Sequence, residues 1–530
     1  MKIAMIILLI SLYALVEFYL IKAMRNGFHI LQLENYHRDR YSTWIKENKA
    51  KSYPFFRMLI AILPIFFAWN ELALLISSIV CLILNIIGTK KKKEKKEFVL
   101  TNRMIREFII ASIVWLIDAV ASVTTYILIK PDFVVIYIGT LVVALIQIFT
   151  YRYVQLIDLI NAPIQNHISK KFVNNAKNKL AEMKDLTVIG ITGSFGKTST
   201  KHAVTTILSQ KFNPIMTPGS YNTPMGVTRT VNEMIKATND IFVCEMGAKY
   251  VGDIKEICDI AKPTIGIVTA VGPMHLDTFK TIDNVRKTKF ELIDSLPEDG
   301  IAIVNWEDEN IRNTEINRPF IKYGLSNEAD YYAENIEMNE NGSEFDVVMP
   351  NKNKLRISTK LLGDLNILNI VCAVAVADQL GMKENEIKLG AKYLKPVEHR
   401  LQLRRNLNGS LIIDDAYNSN VKGSRMALDV LSNFKTRKKI FITPGIVDLG
   451  EKSEEYNKDL GKYAADKCDI AILVGEKQAK PIKEGLLENG MNADKIFVAE
   501  NINVAITIMS QESDANSVVL LENDLPDNYL

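Results

Sequence analysis

Val188-Ile189-Gly190-Ile191-Thr192-Gly193-Ser194-Phe195-Gly196-Lys197-Thr198-Ser199 reads as a β-strand, a glycine-rich loop and the opening of a helix. Glycines let backbone amides curl around a phosphate, and the N-terminus of the following helix adds positive potential there. Thr192, Gly193, Ser194, Phe195, Gly196, Lys197, Thr198 and Ser199 are therefore candidates for a nucleotide-phosphate cradle. Lys197 would reach the β- and γ-phosphates, and the Thr198 hydroxyl would hold Mg²⁺. Strict P-loop spacing wants glycine where Ile191 stands; Gly190 sits one place early, so this is a variant.

Downstream, short β-rich runs alternate with helix-spaced segments. Strands are expected at Leu186–Ile191, Asp240–Glu245, Thr264–Thr269, Ile301–Asn305, Leu411–Asp414, Lys439–Thr443, Ile470–Val474 and Ser517–Leu521. Lys201–Gln210, Ile367–Leu380 and Tyr456–Lys467 carry helical apolar spacing. The alternation predicts an α/β fold, a mostly parallel sheet covered by helices. The length allows two such domains, 186–394 and 395–530, meeting near Leu394-Lys395-Pro396. Glu245 closes one strand, in Glu245-Met246-Gly247, where an acid beside a P-loop is placed to bind metal directly or through water. A helix-capping acid is the alternative. His275 follows another strand and alone would more often be structural. Lys289, in Lys287-Thr288-Lys289-Phe290-Glu291, would alone be a solvated helix lysine.

Upstream the character changes. Residues 151–185 read as a polar helical connector. Before it lie five apolar stretches, about Ile3–Ile21, Phe55–Trp69, Leu72–Ile87, Phe108–Ile129 and Phe133–Thr150. A spanning helix needs roughly 17–25 mostly apolar residues, so the first, fourth and fifth qualify. The second and third are short, and a re-entrant hairpin is the alternative for that pair. A cleaved signal peptide is a poor reading of the first stretch, because no small-residue cleavage site follows it. Residues 22–54 hold seven Lys/Arg against three acids, and Lys90-Lys91-Lys92-Lys93-Glu94-Lys95-Lys96 is a lysine run. Both loops are expected in the cytoplasm by the positive-inside rule, and the run could also touch anionic lipid. Asn70-Glu71 and Lys130-Pro131-Asp132 suit outer turns. Residues 1–150 thus predict an α-helical multi-pass segment of about five helices in the cell membrane, N-terminus outside, with everything later cytoplasmic. Glu17 and Arg57 are expected near the cytoplasmic ends of their helices, placed to pair, and Asp118 near mid-membrane.

Charge follows the same division. Residues 1–150 carry 18 Lys/Arg against 10 Asp/Glu, and the remaining 380 carry 46 against 51. No basic stripe in the larger part supplies the phosphate neutralisation that nucleic acid requires, so no nucleic-acid partner is expected. With 48% apolar and 24% charged residues, disorder is excluded as the default. Cys81, Cys244, Cys258, Cys372 and Cys468 form no CxxC pair and are odd in number, which argues against a disulfide framework or a structural zinc. Reduced thiols are expected.

Four further stretches follow Thr192–Thr198 in order: Ser220-Tyr221-Asn222-Thr223-Pro224-Met225-Gly226, Glu245-Met246-Gly247-Ala248, Gly363-Asp364-Leu365-Asn366-Ile367-Leu368-Asn369 and Asp414-Asp415-Ala416-Tyr417-Asn418-Ser419-Asn420. With these, residues 186–525 resemble the Mur ligase family of ATP-dependent amide-bond-forming enzymes, most of all its members that add a dipeptide to a muramoyl tripeptide. The resemblance implies a P-loop central ATP-binding domain and a Rossmann-like C-terminal ligase domain. It implies two Mg²⁺ ions, one held by Thr198 and Glu245, the other by His275 and a carbamate formed when CO₂ adds to Lys289. Lys197, Lys289 and His275 would carry catalysis. Asn366 and Arg400 would contact nucleotide, Asp415 would lie near the ribose, and Asn222 and Asn418 would face the substrate. The implied partners are a cell-wall precursor, lipid-linked or UDP-linked, and an amino acid or dipeptide. The implied reaction runs through an acyl phosphate.

Departures from the family are specific. The domain that grips the UDP end of the donor has no counterpart, and the membrane segment stands in its place. Leu365 replaces a usual His, Asn420-Val421 a usual Asn-Pro, and Leu521-Glu522-Asn523-Asp524-Leu525-Pro526-Asp527 a Lys-Gly-Ser. Thr443-Pro444-Gly445-Ile446-Val447-Asp448-Leu449-Gly450 matches only in part. These changes bear on the acceptor and the UDP-linked donor more than on ATP chemistry. Two other functions fit parts of the chain: an amino-acid polymer ligase of the poly-γ-glutamate synthetase type, and a P-loop ATPase driving a transport or regulatory membrane module. Product separates them, because a ligase consumes ATP only when an acceptor amine is present.

Overall fold

A computed structural model of the 530-residue chain describes residues 2–34, 36–88, 97–128, 133–339, 341–397, 399–416, 421–447, 449 and 452–523. The lysine run, the turn at Lys130–Asp132, and Asn418 lie outside the described residues. Two compact units emerge, Met1–Lys171 and Phe172–Leu530.

In the first unit, near-continuous apolar sequence forms long helices. Lys2–Leu33, Glu71–Gly88 and Asn102–Leu128 are unbroken, while Lys49–Phe67 joins two short helices to a 3₁₀ turn around Pro64. These four are long and apolar enough to cross a membrane. Val134–Ile148 and Thr150–Glu182 make a fifth only if taken together, and they are bent by 93°. Several polar side chains inside the unit find partners within it, as most polar groups buried from water do. Asn85 Nδ2 donates to Gln147 Oε1 (2.6 Å), and Trp115 Nε1 donates to the Tyr13 carbonyl (3.0 Å). The expected Glu17–Arg57 pair does not form. The first helix runs on to Leu33, which puts Glu17 at its middle, where it accepts from the Ser112 hydroxyl. Arg57 instead donates to the Gly88 carbonyl (2.9 Å), at a helix end whose carbonyls lack intrahelical partners.

The second unit holds two sheets. The first contains β1 (Thr187–Thr192), β2 (Pro214–Met216), β3 (Ile241–Glu245), β4 (Ile265–Val268), β5 (Ile301–Asn305), β6 (Phe320–Gly324), β7 (Tyr331–Asn339), β8 (Gly342–Val348) and β9 (Lys354–Thr359). Their order is β2-β3-β1-β4-β5-β6-β7-β8-β9. Pairing is parallel as far as β7, and β7–β8–β9 form an antiparallel meander. The second sheet has β10 (Gln402–Arg405), β11 (Leu411–Asp415), β12 (Lys438–Thr443), β13 (Ile470–Val474), β14 (Ile496–Ala499) and β15 (Ser517–Glu522), in the order β10-β11-β15-β12-β13-β14. Only β10 runs antiparallel there.

Ile189, Ile191, Val243, Ile267 and Ile303 pack with the almost wholly buried helix Asp364–Gln379 into the main core. Strands covered on both faces need such continuous apolar sequence. After β1 the chain goes to one side, to β2 and β3, and then returns to β4 on the other. That reversal opens a crevice beyond the carboxyl end of β1, where open α/β sheets bind ligands.

Candidate active site

The glycine loop fills that crevice. Gly193 (φ +155°) and Gly196 (φ +83°) take left-handed conformations. A Cβ on Gly193 would lie 2.0 Å from Thr269 Oγ1, so no other residue fits there. The chain after β4 fixes the loop. The Ser194 amide donates to the Ala270 carbonyl (2.8 Å), the Gly272 amide to Ser194 Oγ (2.9 Å), and the Thr269 hydroxyl to the Phe195 carbonyl (2.5 Å). Gly196 then starts the helix Lys197–Leu208 without a capping side chain, leaving its first amides turned to the loop. Lys197 folds back so that Nζ meets the Gly193 carbonyl (2.6 Å). Burial pulls its pKa down; Glu245 partly opposes this and Arg400 adds to it.

Register brings the acid to the loop, because Ile191 of β1 pairs with Glu245 of β3. Both carboxylate oxygens of Glu245 are engaged. Asn222 Nδ2 donates to Oε1 (3.0 Å), and Oε2 takes the Thr198 hydroxyl (3.1 Å) and Lys201 Nζ (2.9 Å). Burial alone would push this carboxyl up, but the Lys201 and Lys197 cations outweigh it and hold the group below its ordinary value. Asn222, expected to face substrate, thus spends its amide on Glu245.

Sequence reading passed over Lys201. Its one signal is the i+4 spacing from Lys197, which puts both lysines on one helix face. It is fully buried and also donates to the Gly219 carbonyl (2.7 Å), tying the helix to the loop that carries Asn222. Lys201→Met is expected to destabilise the fold by about 3–5 kcal/mol, since removing one partner strands a buried charge. Denaturant titration measures it, and a loss below about 1 kcal/mol would show the pair to be relaxed by water.

Lys289 lies on the helix Ile282–Asp294 and is 3% exposed. Burial, reinforced by Lys197, lowers its pKa to about 7. Glu291, two residues further along, accepts the amides of Gly252 (2.8 Å) and Lys255 (3.0 Å) and so caps the helix Asp253–Ala261. His275 (φ +51°) stands after β4, where its carbonyl takes the amides of Thr278 (3.0 Å) and Phe279 (2.9 Å).

The C-terminal part closes on the same loop. Lys422 Nζ lies 5.7 Å from the Phe195 ring centroid, a second residue that sequence reading missed. A narrow cleft there is lined by Phe195, Gly196, Asn305, Tyr323, Asn369 and Lys422. Arg400 is within electrostatic reach of both Lys197 and Asp415. Burial pushes Asp415 up to about 6, with Arg400 and the Leu401 amide pulling against it. Asn366 is buried and donates to the Leu362 carbonyl (2.8 Å).

Among the described residues, no three His, Cys, Asp or Glu side chains converge to hold a metal unaided. The donor set at Glu245 is one carboxylate beside one hydroxyl. That fits Mg²⁺, which takes one or two protein oxygens and completes its octahedron from water and substrate phosphates.

The chain matches the Mur ligase middle domain over residues 191–377 and the Mur ligase glutamate ligase domain over residues 399–522. The UDP-N-acetylmuramoyl-tripeptide--D-alanyl-D-alanine ligase of Escherichia coli (strain K12) is 30% identical over 346 residues, 63% of this chain and 76% of that enzyme. The enzyme of the same name from Buchnera aphidicola subsp. Baizongia pistaciae is 31% identical over 286 residues, and there the chain spans 61% of its relative's length. MurF from Thermotoga maritima in complex with ADP superposes with a TM-score of 0.60 at 26% identity, covering 67% of this chain and 80% of that one. MurF from Acinetobacter baumannii gives 0.59 at 26% identity, covering 66% and 76%. Folylpolyglutamate synthase from Mycobacterium tuberculosis, at 13% identity and a TM-score of 0.51, shares the fold alone. Two successive domain matches, laid over the site geometry, lead to one conclusion: the chain belongs to the Mur ligase family.

Proposed function

We propose that this is a membrane-anchored ATP- and Mg²⁺-dependent ligase that adds an amino acid or dipeptide to a cell-wall peptide precursor at the cytoplasmic face of the cell membrane. The observation that carries the reading is the convergence of Lys197, Thr198 and Glu245 at the carboxyl ends of β1 and β3. Lys197 and the loop amides bind the β- and γ-phosphates, while Asn366, Arg400 and Asp415 take the nucleoside side. Thr198 and Glu245 would hold one Mg²⁺, and His275 with a carbamate on Lys289 would hold a second; such ions would supply neutralisation of the phosphate charge. Lys289 suits that role because a lysine with a pKa near 7 offers a neutral amine. CO₂ would add to this neutral nitrogen, one proton would leave, and the amine would become an anionic oxygen ligand.

A precursor carboxylate oxygen then attacks the γ-phosphorus, the bond to ADP breaks, and an acyl phosphate forms. The acceptor amine attacks the acyl carbon, loses a proton, and phosphate departs. In this reading Asn222 and Asn418 would contact the substrate. Mass spectrometry of full-length enzyme given ATP, candidate amines, and UDP-linked or lipid-linked precursors tests it. An amide product that appears only with acceptor is expected. ATP hydrolysis indifferent to acceptor would instead favour the transport or regulatory ATPase.

The helices before residue 150 span the membrane, with the N-terminus outside. Anchoring favours a lipid-linked donor, which is confined to the inner face, so tethering raises its effective concentration at the site. Reporters fused after residues 50, 100 and 160 are expected to read cytoplasmic. An external signal after residue 160 would contradict an ATP-using domain there.

A further inference from the structure

The helix Thr150–Glu182 has two unlike faces over its first half. Val154, Ile157, Asp158 and Asn161, at i, i+3, i+4 and i+7, are at most 1% exposed. Asp158 takes Arg38 Nε (2.5 Å) and Arg103 Nη2 (2.6 Å), and Asn161 Nδ2 donates to Glu107 Oε1 (3.0 Å). These bonds lock the rotation of the helix. On its other side Leu156, Leu159, Ile160, Ile164 and Ile168 form a stripe whose side chains are 41–55% exposed. The only acid between Leu156 and Ile168 is the buried Asp158, and the stripe runs into exposed Lys170 and Lys171. The polar connector expected over residues 151–185 is therefore amphipathic in its first half.

We infer that residues 150–168 lie flat in the cytoplasmic interface of the bilayer, with this stripe sunk among headgroups and upper acyl chains. The inference rests on the reading that the preceding helices span the membrane. Three features select a lipid surface as the occupant. The stripe follows directly, after Phe149, on the apolar helix Val134–Ile148. The 93° bend turns the helix out of the direction of Val134–Ile148, so that with that helix standing in the bilayer this one runs along its surface. The closing Lys170-Lys171 pair complements anionic headgroups, as in other interfacial helices. The two ion pairs to Asp158 hold the apolar side toward the lipid, so the helix serves as a fixed shelf rather than a free tether.

Spin labels on full-length protein in liposomes containing phosphatidylglycerol test this. All five native cysteines are buried, so Ile160→Cys, Ile164→Cys and Ile168→Cys direct the label. Collision with oxygen and with a water-soluble nickel chelate is expected to place all three at one shallow depth, about 5–10 Å into the interface. Lys171→Cys should report water. Depth changing steadily from 160 to 168 would make the helix the second half of a broken span and overturn the proposal. Nickel access equal to that at Lys171→Cys, or shielding from both reagents by protein, would overturn it too. Release of unlabelled protein by alkaline carbonate would instead remove the membrane anchoring on which it rests.

Discussion

Lys289→Ala and Lys289→Arg are both expected to lower amide formation by on the order of 10²–10³-fold, the scale on which removal of one electrostatic stabiliser is felt. Alanine cannot become an anionic ligand. Arginine stays cationic at any working pH, and it does so in a site where burial already lowers the lysine pKa to about 7. Melting temperature and ATP binding of the alanine variant separate chemistry from folding. The pH dependence has a definite sign. Because burial lowers the folded pKa from 10.5 to about 7, the neutral amine that would accept CO₂ grows as pH rises through 7 and vanishes below it. The rate should therefore fall on the acidic side of about 7, and at pH 8 it should drop when CO₂ and bicarbonate are stripped and return when they are restored. Full activity in Lys289→Arg would leave Lys289 a packing residue, and the carbamate would have to be abandoned.

How much of this was legible beforehand depended on how many faces of an element are buried. β3 reads directly, because Ile241-Phe242-Val243-Cys244 is covered on both sides and stays apolar throughout. The other seven strands read from the sequence are likewise mostly buried and mostly apolar, although β12 opens on Lys438-Lys439 and β11 ends on Asp414-Asp415. The meander β7–β9 is buried on one side only. Tyr331 and Ala333, Phe345 and Val347, and Leu355 and Ile357 turn inward while charges such as Glu334, Glu344 and Arg356 alternate with them, so no apolar run marks it. β2 and β14, of three and four residues, sit at sheet edges and are too short to show a period.

The site divides likewise. Glycine positions and the strand-ending Glu245 are local and could be read. Lys201 is not, since a lysine one turn beyond Lys197 looks like any solvated helix residue until the pairing of Ile191 with Glu245 turns it inward. Lys422 reaches Phe195 only because the second sheet's first following helix, Val421–Ser432, packs toward the loop, which no spacing encodes.

Lys197→Ala is expected to abolish ligation, by on the order of 10³-fold or more given how much cationic groups at a transferring phosphoryl contribute, yet to leave the fold as stable as before. The two halves of that expectation have separate causes. In the proposed reaction the ammonium is needed because it is a cation folded back onto the loop, where charge on the γ-phosphoryl would develop. The loop does not need it. Gly193 is fixed by its closeness to Thr269, and the backbone of Ser194 and Phe195 by bonds to Ala270, Gly272 and Thr269 that involve no part of Lys197. Burying the ammonium is itself unfavourable, as the lowered pKa records, so alanine relieves a cost while it removes a contact. Calorimetric ATP titration, a melting curve and product analysis together decide the matter. Weak nucleotide binding, an unchanged or higher melting temperature and no amide are expected. Ligation at the normal rate would end the assignment of this loop to ATP phosphates, and a collapsed melting temperature would show that Lys197 builds the loop it was thought only to visit.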